Sequence, residues 1–151
     1  MAQPHELLIR VRYAETDQMG VVHHASYLVY MEEGRTALMR ALGFPYEEVE
    51  RRGFAMAVRR IELRYRAAAR YGDQVLVRTS VERFRAASIL YAYEILRAGD
   101  LELLASGSAE VACLDRRDGG FRPAVLPEDI KAALERHLDE RLVRGPERQA
   151  R

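Results

Sequence analysis

One helical pattern followed by four alternating segments constrains the fold of this chain more than any other feature. Between residues 25 and 42, apolar side chains recur on one face of a helix, namely at Tyr27, Met31, Leu38 and Leu42. Apolar and polar residues then alternate with the period of a strand in residues 54–68, 75–82, 89–95 and 101–114. Because these strands follow one another without intervening helices, we predict an α+β fold with an antiparallel sheet packed on one long helix.

Shorter signals complete the predicted sheet. A first strand is expected over residues 7–13, where apolar and polar residues also alternate. Glycine-containing turns at residues 71–73 and 99–100 separate later strands. Val58 and Ile61 lie three positions apart and interrupt the alternation, which indicates a β-bulge. The sheet should therefore have five strands.

Glycine and proline residues indicate where the helices begin and end and where one of them packs on the sheet. Gly43 and Pro45 end the long helix. Gly34 lies inside it, where glycine costs about 1 kcal/mol relative to alanine, so we expect Gly34 to permit close packing on the sheet. A short C-terminal helix is predicted to begin at Pro127.

The size and composition of the chain indicate one globular domain. Its 151 residues are 48% hydrophobic, enough for a core that needs no disulfide or metal. We expect a single domain over residues 1–142 and a flexible tail over residues 143–151. The single Cys113 fits a reducing compartment, and the sequence shows neither a signal-peptide pattern nor an apolar run of the ~18 residues that span a membrane. A cytoplasmic protein is expected.

The charges of the chain are balanced. Lys and Arg number 24 against 23 Asp and Glu, which gives a formal net charge of +1. A field that recruits nucleic acid or an anionic membrane is therefore not predicted.

A resemblance to a known family lies in residues 13–27, YAETDQMGVVHHASY, and in Tyr30-Met31-Glu32 after them. These segments resemble the active-site region of the 4-hydroxybenzoyl-CoA thioesterase-like hotdog enzymes, specifically the YbgC-type acyl-CoA thioesterases. The spacing from Asp17 through Gly20 to the helix start is the most specific part. The segments RIE at 60–62 and RYGD at 70–73 extend the likeness.

The resemblance implies both a fold and an activity. It implies a hotdog fold, in which five antiparallel strands wrap one long helix, and hydrolysis of acyl-CoA to a carboxylic acid and CoA. It implies no metal and no cofactor. It also implies a homo-oligomer, a dimer or a tetramer, with active sites at the dimer interface.

Thioester hydrolysis needs a nucleophile or base and donors for the negative charge on the carbonyl oxygen. The loop of residues 15–23 leads into a helix N-terminus, where backbone N–H groups lack helical partners. The resemblance assigns the oxyanion donor to the N–H of His24. Asp17 would attack the carbonyl carbon to form a mixed anhydride or would activate a water, and the sequence leaves both routes open. The alternative is that Asp17 only caps a turn before Gly20.

Adjacent histidines invite comparison with a metal site. His23 and His24 are neighbours in sequence, so their side chains do not converge as metal ligands must, and no metal is predicted. The side chain of His24 either orients the substrate or merely starts the helix. Three positions depart from the family pattern, which often has Asp in place of Glu15, Asn in place of Ser26, and Tyr or Trp in place of His23. Ser26 should still cap the helix.

Further residues are candidates for substrate binding. The acyl pocket would be lined by Tyr13, Val22, Tyr27 and Met31, although core packing is the stronger interpretation of the last two. The family's phosphate-binding positions correspond to Arg85 and Arg122, and arginine binds phosphate through charge-assisted hydrogen bonds. Each arginine has a plain surface role as its alternative.

Two other functions remain open. A hotdog dehydratase would need a paired histidine and carboxylate in a longer hydration motif, which the sequence does not show. A binding or scaffold protein for acyl-CoA or an acyl-carrier protein would keep the fold without turnover. Release of free thiol from acyl-CoA separates these alternatives.

The sheet also suggests assembly. Leu76, Leu90, Leu96 and Leu104 lie opposite the alternating core positions, so we expect an apolar outer face, and this face favours a tetramer over a dimer. Unpaired edge strands can pair with a second copy. Such a dimer would place the Asp17 loop against residues 54–61 of the other copy.

Overall fold

The computed structural model describes residues 4–144 of the chain. Its elements follow in the order β1 (His5–Arg10), α1 (Ser26–Ala41), α2 (Tyr46–Arg51), β2 (Phe54–Tyr65), β3 (Gln74–Arg85), β4 (Ser88–Arg97), β5 (Leu103–Asp115), β6 (Arg122–Pro123) and α3 (Glu128–Arg144). One turn of 3-10 helix, Tyr13–Glu15, precedes α1. The predicted α+β fold with one long helix before four consecutive strands is confirmed.

The sheet is antiparallel throughout. Its strand order is β1-β3-β4-β5-β2, and the two-residue β6 pairs with β5. The five predicted strands are therefore joined by a short sixth. The bulge expected in β2 lies between Val58 and Arg60. β1 and β2 are the edge strands, so one side of each has no strand partner within residues 4–144.

Helix α1 packs directly on β3. Its buried face includes Tyr27, Tyr30 and Met31 in the first half of the helix. A Cβ added at Gly34 would overlap the side chain of Thr79 and lie 2.8 Å from Cγ1 of Val77. The close approach predicted at this glycine is therefore present, because any side chain there would push the helix away from the strand.

Three boundaries differ from the prediction. β1 ends at Arg10 rather than near Tyr13, because the Val11 N–H donates to the carbonyl of Asp73 and the chain then enters the 3-10 turn. The short helix α2 was not predicted. α3 has 17 residues and continues to Arg144, so it is longer than the short helix expected and includes the start of the predicted tail. The rest of that tail, residues 145–151, lies outside the described residues.

The expected apolar outer face is wrong for three of its four leucines. Leu76 and Leu96 are directly opposite each other on β3 and β4 and shield one another, which leaves them 9% and 6% exposed. Leu104 belongs to the core, because the pairing of β4 with β5 shifts register beside it. Only Leu90 is half-buried. The reason given above for favouring a tetramer over a dimer is therefore absent.

A membrane-spanning helix would need a long apolar stretch. Among the helices within residues 4–144, none is both long enough and apolar enough to cross a bilayer.

Candidate active site

The loop that carries Asp17 closes on itself before α1 begins. Thr16 and Val22 form an isolated antiparallel bridge across it. At its tip, Gly20 has a φ of 78°, a left-handed conformation that glycine adopts without strain. This closure places Asp17 on one arm of the loop and leads the other arm to His24 at the entrance to α1.

The carboxylate of Asp17 is half-buried and uses one oxygen inside the loop. Oδ1 accepts the N–H of Met19 at 2.9 Å, which forms an Asx turn. Oδ2 has no hydrogen-bond or ion-pair partner among residues 4–144. The turn-capping role considered from the sequence is therefore present, and it leaves the second oxygen free for chemistry.

The backbone at the entrance to α1 leaves the His24 N–H unused. The His23 N–H donates to the carbonyl of Glu15 at 2.8 Å, and the Ser26 N–H donates to the carbonyl of His23 at 2.9 Å. The Ala25 N–H donates to Nδ1 of His23 at 3.1 Å. Between these bonded groups, the His24 N–H has no acceptor in the described part of the chain. It is the donor that the resemblance assigned to the oxyanion.

The helix entrance differs from the cap expected at Ser26. Ser26 is the first residue of α1, and Ala25 precedes it without a side-chain cap. The Ser26 hydroxyl instead donates to the carbonyl of Glu15 at 3.3 Å. Ser26 thus ties the loop to the helix rather than capping the helix.

A residue of the edge strand β2 also contacts the helix entrance. The Tyr65 hydroxyl donates to the carbonyl of His24 at 2.8 Å, and its ring lies edge-on to Tyr27 with centroids 5.3 Å apart. Burial and the neighbouring Tyr27 raise the pKa of Tyr65. Sequence reasoning missed Tyr65, because it lies 41 residues from His24 and outside the segments that resemble the family.

The side chains of the two histidines stack on each other. His23 and His24 have ring centroids 4.1 Å apart and an interplanar angle of 32°, and both side chains are exposed. The two rings lie against each other and do not converge on a common point, as the ligands of a metal would. The His24 ring lies at the surface beside its own N–H.

The four predicted pocket residues fall into two groups. Tyr13 is 77% exposed and packs edge-on against Tyr71 with centroids 5.7 Å apart. Val22, Tyr27 and Met31 are all buried in the core. In one chain these three have the environment of core residues, the interpretation already favoured for Tyr27 and Met31, whereas Tyr13 presents a free aromatic surface.

The two predicted phosphate-binding arginines lie far from the Asp17 loop. Arg85 is exposed at the last position of β3 and lines a cavity of about 270 Å³ together with Arg60, Arg83, Glu82 and Glu110, among others. This cavity lies on the sheet face opposite α1, because Arg60 and Glu110 are cross-strand partners on the outer side. The charges around Arg85 are mixed in sign.

Arg122 lies at the same end of the molecule. It is exposed in β6, and its Nη2 lies 3.1 Å from Oδ2 of Asp118. The neighbouring segment reaches the β3–β4 turn, where the Leu126 N–H donates to the carbonyl of Ala86 at 2.8 Å.

The distance between the two ends follows from β3. The Asp17 loop packs beside the start of this strand, since the Val22 N–H donates to the carbonyl of Ala69 at 2.8 Å. Arg85 is at the other end of the 12-residue strand. At ~3.3 Å per residue the strand is roughly 35 Å long, so one chain does not bring Asp17 and Arg85 together.

Comparison with known proteins identifies the family. Residues 11–134 match the thioesterase-like superfamily. The chain is 43% identical to YneP of Bacillus subtilis over 116 residues, 76% of this chain and 81% of that protein. It is 34% identical to the acyl-CoA thioesterase YbgC of Haemophilus influenzae over 127 residues, 83% of this chain and 90% of that protein.

Solved structures give the same result for the fold. The DHNA-CoA thioesterase from Staphylococcus aureus superimposes with a TM-score of 0.85 at 29% sequence identity, covering 93% of this chain and 94% of that one. The resemblance found in the sequence is confirmed. The chain belongs to the thioesterase-like superfamily and is a thioester hydrolase with a hotdog fold.

Proposed function

We propose that this chain hydrolyses acyl-CoA thioesters at the loop that carries Asp17 and His24. One observation carries the proposal: a carboxylate oxygen and a backbone N–H without partners occur on the two arms of one closed loop. Relatives that share most of their length with this chain are named acyl-CoA thioesterases, which supports CoA as the thiol portion of the substrate.

The proposed chemistry begins with the carbonyl oxygen of the thioester. This oxygen accepts the His24 N–H, which stabilises the negative charge that develops when the carbonyl carbon is attacked. The start of α1 adds the positive end of a helix dipole at the same place. The thioester carbonyl carbon then lies where Oδ2 of Asp17 can act on it.

Asp17 has two possible roles, and the bonds and protons are accounted for in each. As a nucleophile, Oδ2 bonds to the carbonyl carbon, the carbon–sulfur bond breaks, and CoA leaves as a thiolate that takes a proton from water. Water then cleaves the resulting anhydride and restores the carboxylate. As a general base, Oδ2 takes a proton from a water whose oxygen attacks the carbonyl carbon, and that proton goes to the departing thiolate.

We further propose that the complete site forms between two copies of the chain. The free side of β2 is an edge of 12 residues with Val58 and Tyr65 at least 41% exposed along it. Antiparallel pairing of two such edges about a two-fold axis would bring the start of β2 in one copy beside the end of β2 in the other. The Tyr65 and His24 end of one subunit would then face the end that carries Arg85 in its partner.

This arrangement gives Arg85 and Arg122 a role that they cannot have within one chain. In the dimer, each arginine would contact the phosphates of the CoA whose thioester lies at the other subunit's Asp17. A dimer is enough to form this site. A tetramer would need an interface other than the leucines that were expected on the outer face of the sheet. The buried free thiol of Cys113 fits the reducing cytoplasm as the place where the enzyme works.

A binding protein without turnover is the second candidate. The Asx turn of Asp17 favours it, because such a turn serves the shape of the loop whether or not the carboxylate reacts. The two candidate functions predict different rates of thiol release when Asp17 loses its charge.

The test uses short-chain, long-chain and aromatic acyl-CoAs with a thiol reagent. We expect the wild-type chain to release CoA and Asp17→Asn to lower kcat at least ~100-fold with an unchanged circular dichroism spectrum. Asp100→Asn is the matched control, because Oδ1 of Asp100 also accepts the N–H of a residue two positions on, Glu102, at 3.0 Å. This control should keep kcat within about twofold.

Two results would overturn the proposal. One is an Asp17→Asn variant that keeps more than about a third of wild-type turnover, which removes Asp17 from the mechanism. The other is a wild-type chain that binds acyl-CoA and releases no thiol, which favours the binding protein.

A further inference from the structure

Glu15 is a buried carboxylate that the proposed chemistry does not use. It is 8% exposed, although it lies in a surface turn between β1 and the Asp17 loop. Its Oε1 accepts the Arg12 N–H at 2.8 Å and the Tyr30 hydroxyl at 3.0 Å, and its Oε2 lies 3.3 Å from Nε of Arg12. Each of these contacts is a donor, so both oxygens of the buried side chain have hydrogen-bonding partners.

Tyr30 supplies the only one of these contacts that comes from a helix. It is 1% exposed on the inner face of α1, and burial together with the hydrogen bond to Glu15 raises its pKa well above the ordinary value. Its hydroxyl therefore stays protonated and donates at any working pH. Arg12 precedes the same turn as Glu15. Among the hydrogen bonds that the described residues make to the Glu15 side chain, only the one from Tyr30 therefore connects it to the core.

The backbone carbonyl of Glu15 is used as fully as its side chain. It accepts the His23 N–H at 2.8 Å and the Ser26 hydroxyl at 3.3 Å. Movement of Glu15 would release both groups at once. The released His23 N–H lies next to the His24 N–H in the chain, so the direction of the oxyanion donor depends on where Glu15 is held.

We propose that Glu15 and Tyr30 are positioning residues for thioester hydrolysis. Their hydrogen bond fixes the turn to α1, and the Glu15 carbonyl then holds the His23 N–H, on the peptide immediately before the one that carries the His24 N–H. Neither residue touches the reacting atoms. This inference rests on the proposed function, because it states what sets the donor's direction in that reaction.

The sharpest test removes one hydroxyl. Tyr30→Phe keeps the ring in the core and deletes only the donor to Glu15. We expect kcat to fall about tenfold or more with KM within about twofold, since a misplaced oxyanion donor is felt mainly in the transition state.

Tyr91→Phe is the matched control. Tyr91 is fully buried on β4, and its hydroxyl bonds to no residue of the Asp17 loop in the described chain. This substitution deletes a buried tyrosine hydroxyl away from the loop and should leave kcat within about twofold. Equal losses of kcat in both variants would show that stability alone is responsible and would overturn the proposal.

A double variant tests whether the two residues act together. Glu15→Met keeps the approximate length of the side chain and removes both acceptor oxygens. If the pair acts as one unit, adding Tyr30→Phe to Glu15→Met lowers kcat by less than about twofold beyond the single variant. Multiplication of the two single effects would contradict a shared role.

Hydrogen exchange provides a readout that does not depend on turnover. In Tyr30→Phe, amides in residues 17–26 should exchange faster than in wild type, whereas Tyr91→Phe should leave them unchanged. Unchanged exchange in Tyr30→Phe would overturn the positioning role even if wild type proved to have no thioesterase activity. Faster exchange in an inactive wild-type background would support the positioning role and reject only the proposed function.

Discussion

The two ends of β3 differ in how tightly their polar groups are held. At the start of the strand, hydrogen bonds that involve Glu15, Ser26 and Tyr65 hold the Asp17 loop and the entrance to α1. Oδ2 of Asp17 and the His24 N–H have no partner among residues 4–144. At the far end, Arg85 and Arg122 are exposed on strand ends. Bond-breaking chemistry needs fixed geometry, whereas attraction of a phosphate needs charge that can adjust.

The contrast also explains why one chain is half of an enzyme in this account. The rigid end would act on the thioester, and the adjustable end would hold the phosphates of a CoA bound mainly to the partner. If Arg85 binds the phosphates, the length of β3 between it and Asp17 means that the proposed site needs two subunits.

The largest loss of stability near the start of β3 should come from a change at the contact between α1 and β3. Gly34→Ala places a methyl group against Thr79 and Val77, so the helix that carries Tyr30 and Ser26 must shift. We expect the free energy of unfolding to fall by about 2 kcal/mol in urea titrations, because overpacking strains a dense core.

Gly99→Ala is the control for that change. A Cβ at Gly99 meets nothing within 4 Å, and its φ lies outside the left-handed region. Its unfolding free energy should stay within about 0.5 kcal/mol of wild type. A Gly34→Ala chain as stable as Gly99→Ala would show that α1 is not seated against β3 as described.

The smallest effect is expected at the adjustable end, from Asp115. Hydrogen bonds from the side chain and backbone of Arg117 lower the pKa of Asp115 from its usual 3.8 to about 2. A lowered pKa in the folded state stabilises the protein above pH 4, and that contribution is lost as the pH falls from about 4 to 2.

Melting temperatures can measure this contribution. At pH 6, the melting temperature of wild type should exceed that of Asp115→Asn by no more than about 2 °C, because Asp115 and Arg117 form a surface ion pair. The difference should vanish near pH 2. A difference that grows on acidification would show that the charge of Asp115 does not stabilise this end.

Sequence patterns predicted most of the fold because its elements are long and periodic. α1 and the strands β2 to β5 repeat their pattern over many residues, whereas α2 has six residues and buries only Val49, too few for any period. Alternation does not predict the burial of Leu104, because the register shift beside it depends on pairing between two strands. Nor does it predict that Leu76 and Leu96 face each other, since that also depends on strand pairing.

Within the site, local and distant residues differ in the same way. Asp17 and His24 could be chosen from the sequence, because their spacing within one loop resembles a known family. Glu15 and Tyr65 could not be assigned roles, since their partners lie 15 and 41 residues away and only folding brings them together. The contacts that Glu15 and Tyr65 make exist only in the folded chain.

The most direct test of the account combines two damaged subunits. Asp17→Asn lacks the reacting carboxylate, and Arg85→Glu repels the phosphates, so each homodimer should hydrolyse acyl-CoA poorly at low substrate concentration. Co-expressed with different affinity tags, they form heterodimers in which one site joins an intact Asp17 with an intact Arg85 from the other subunit. Purified through both tags, these heterodimers should recover about half of the wild-type kcat/KM. A heterodimer no more active than the mean of its two parents would contradict the shared site.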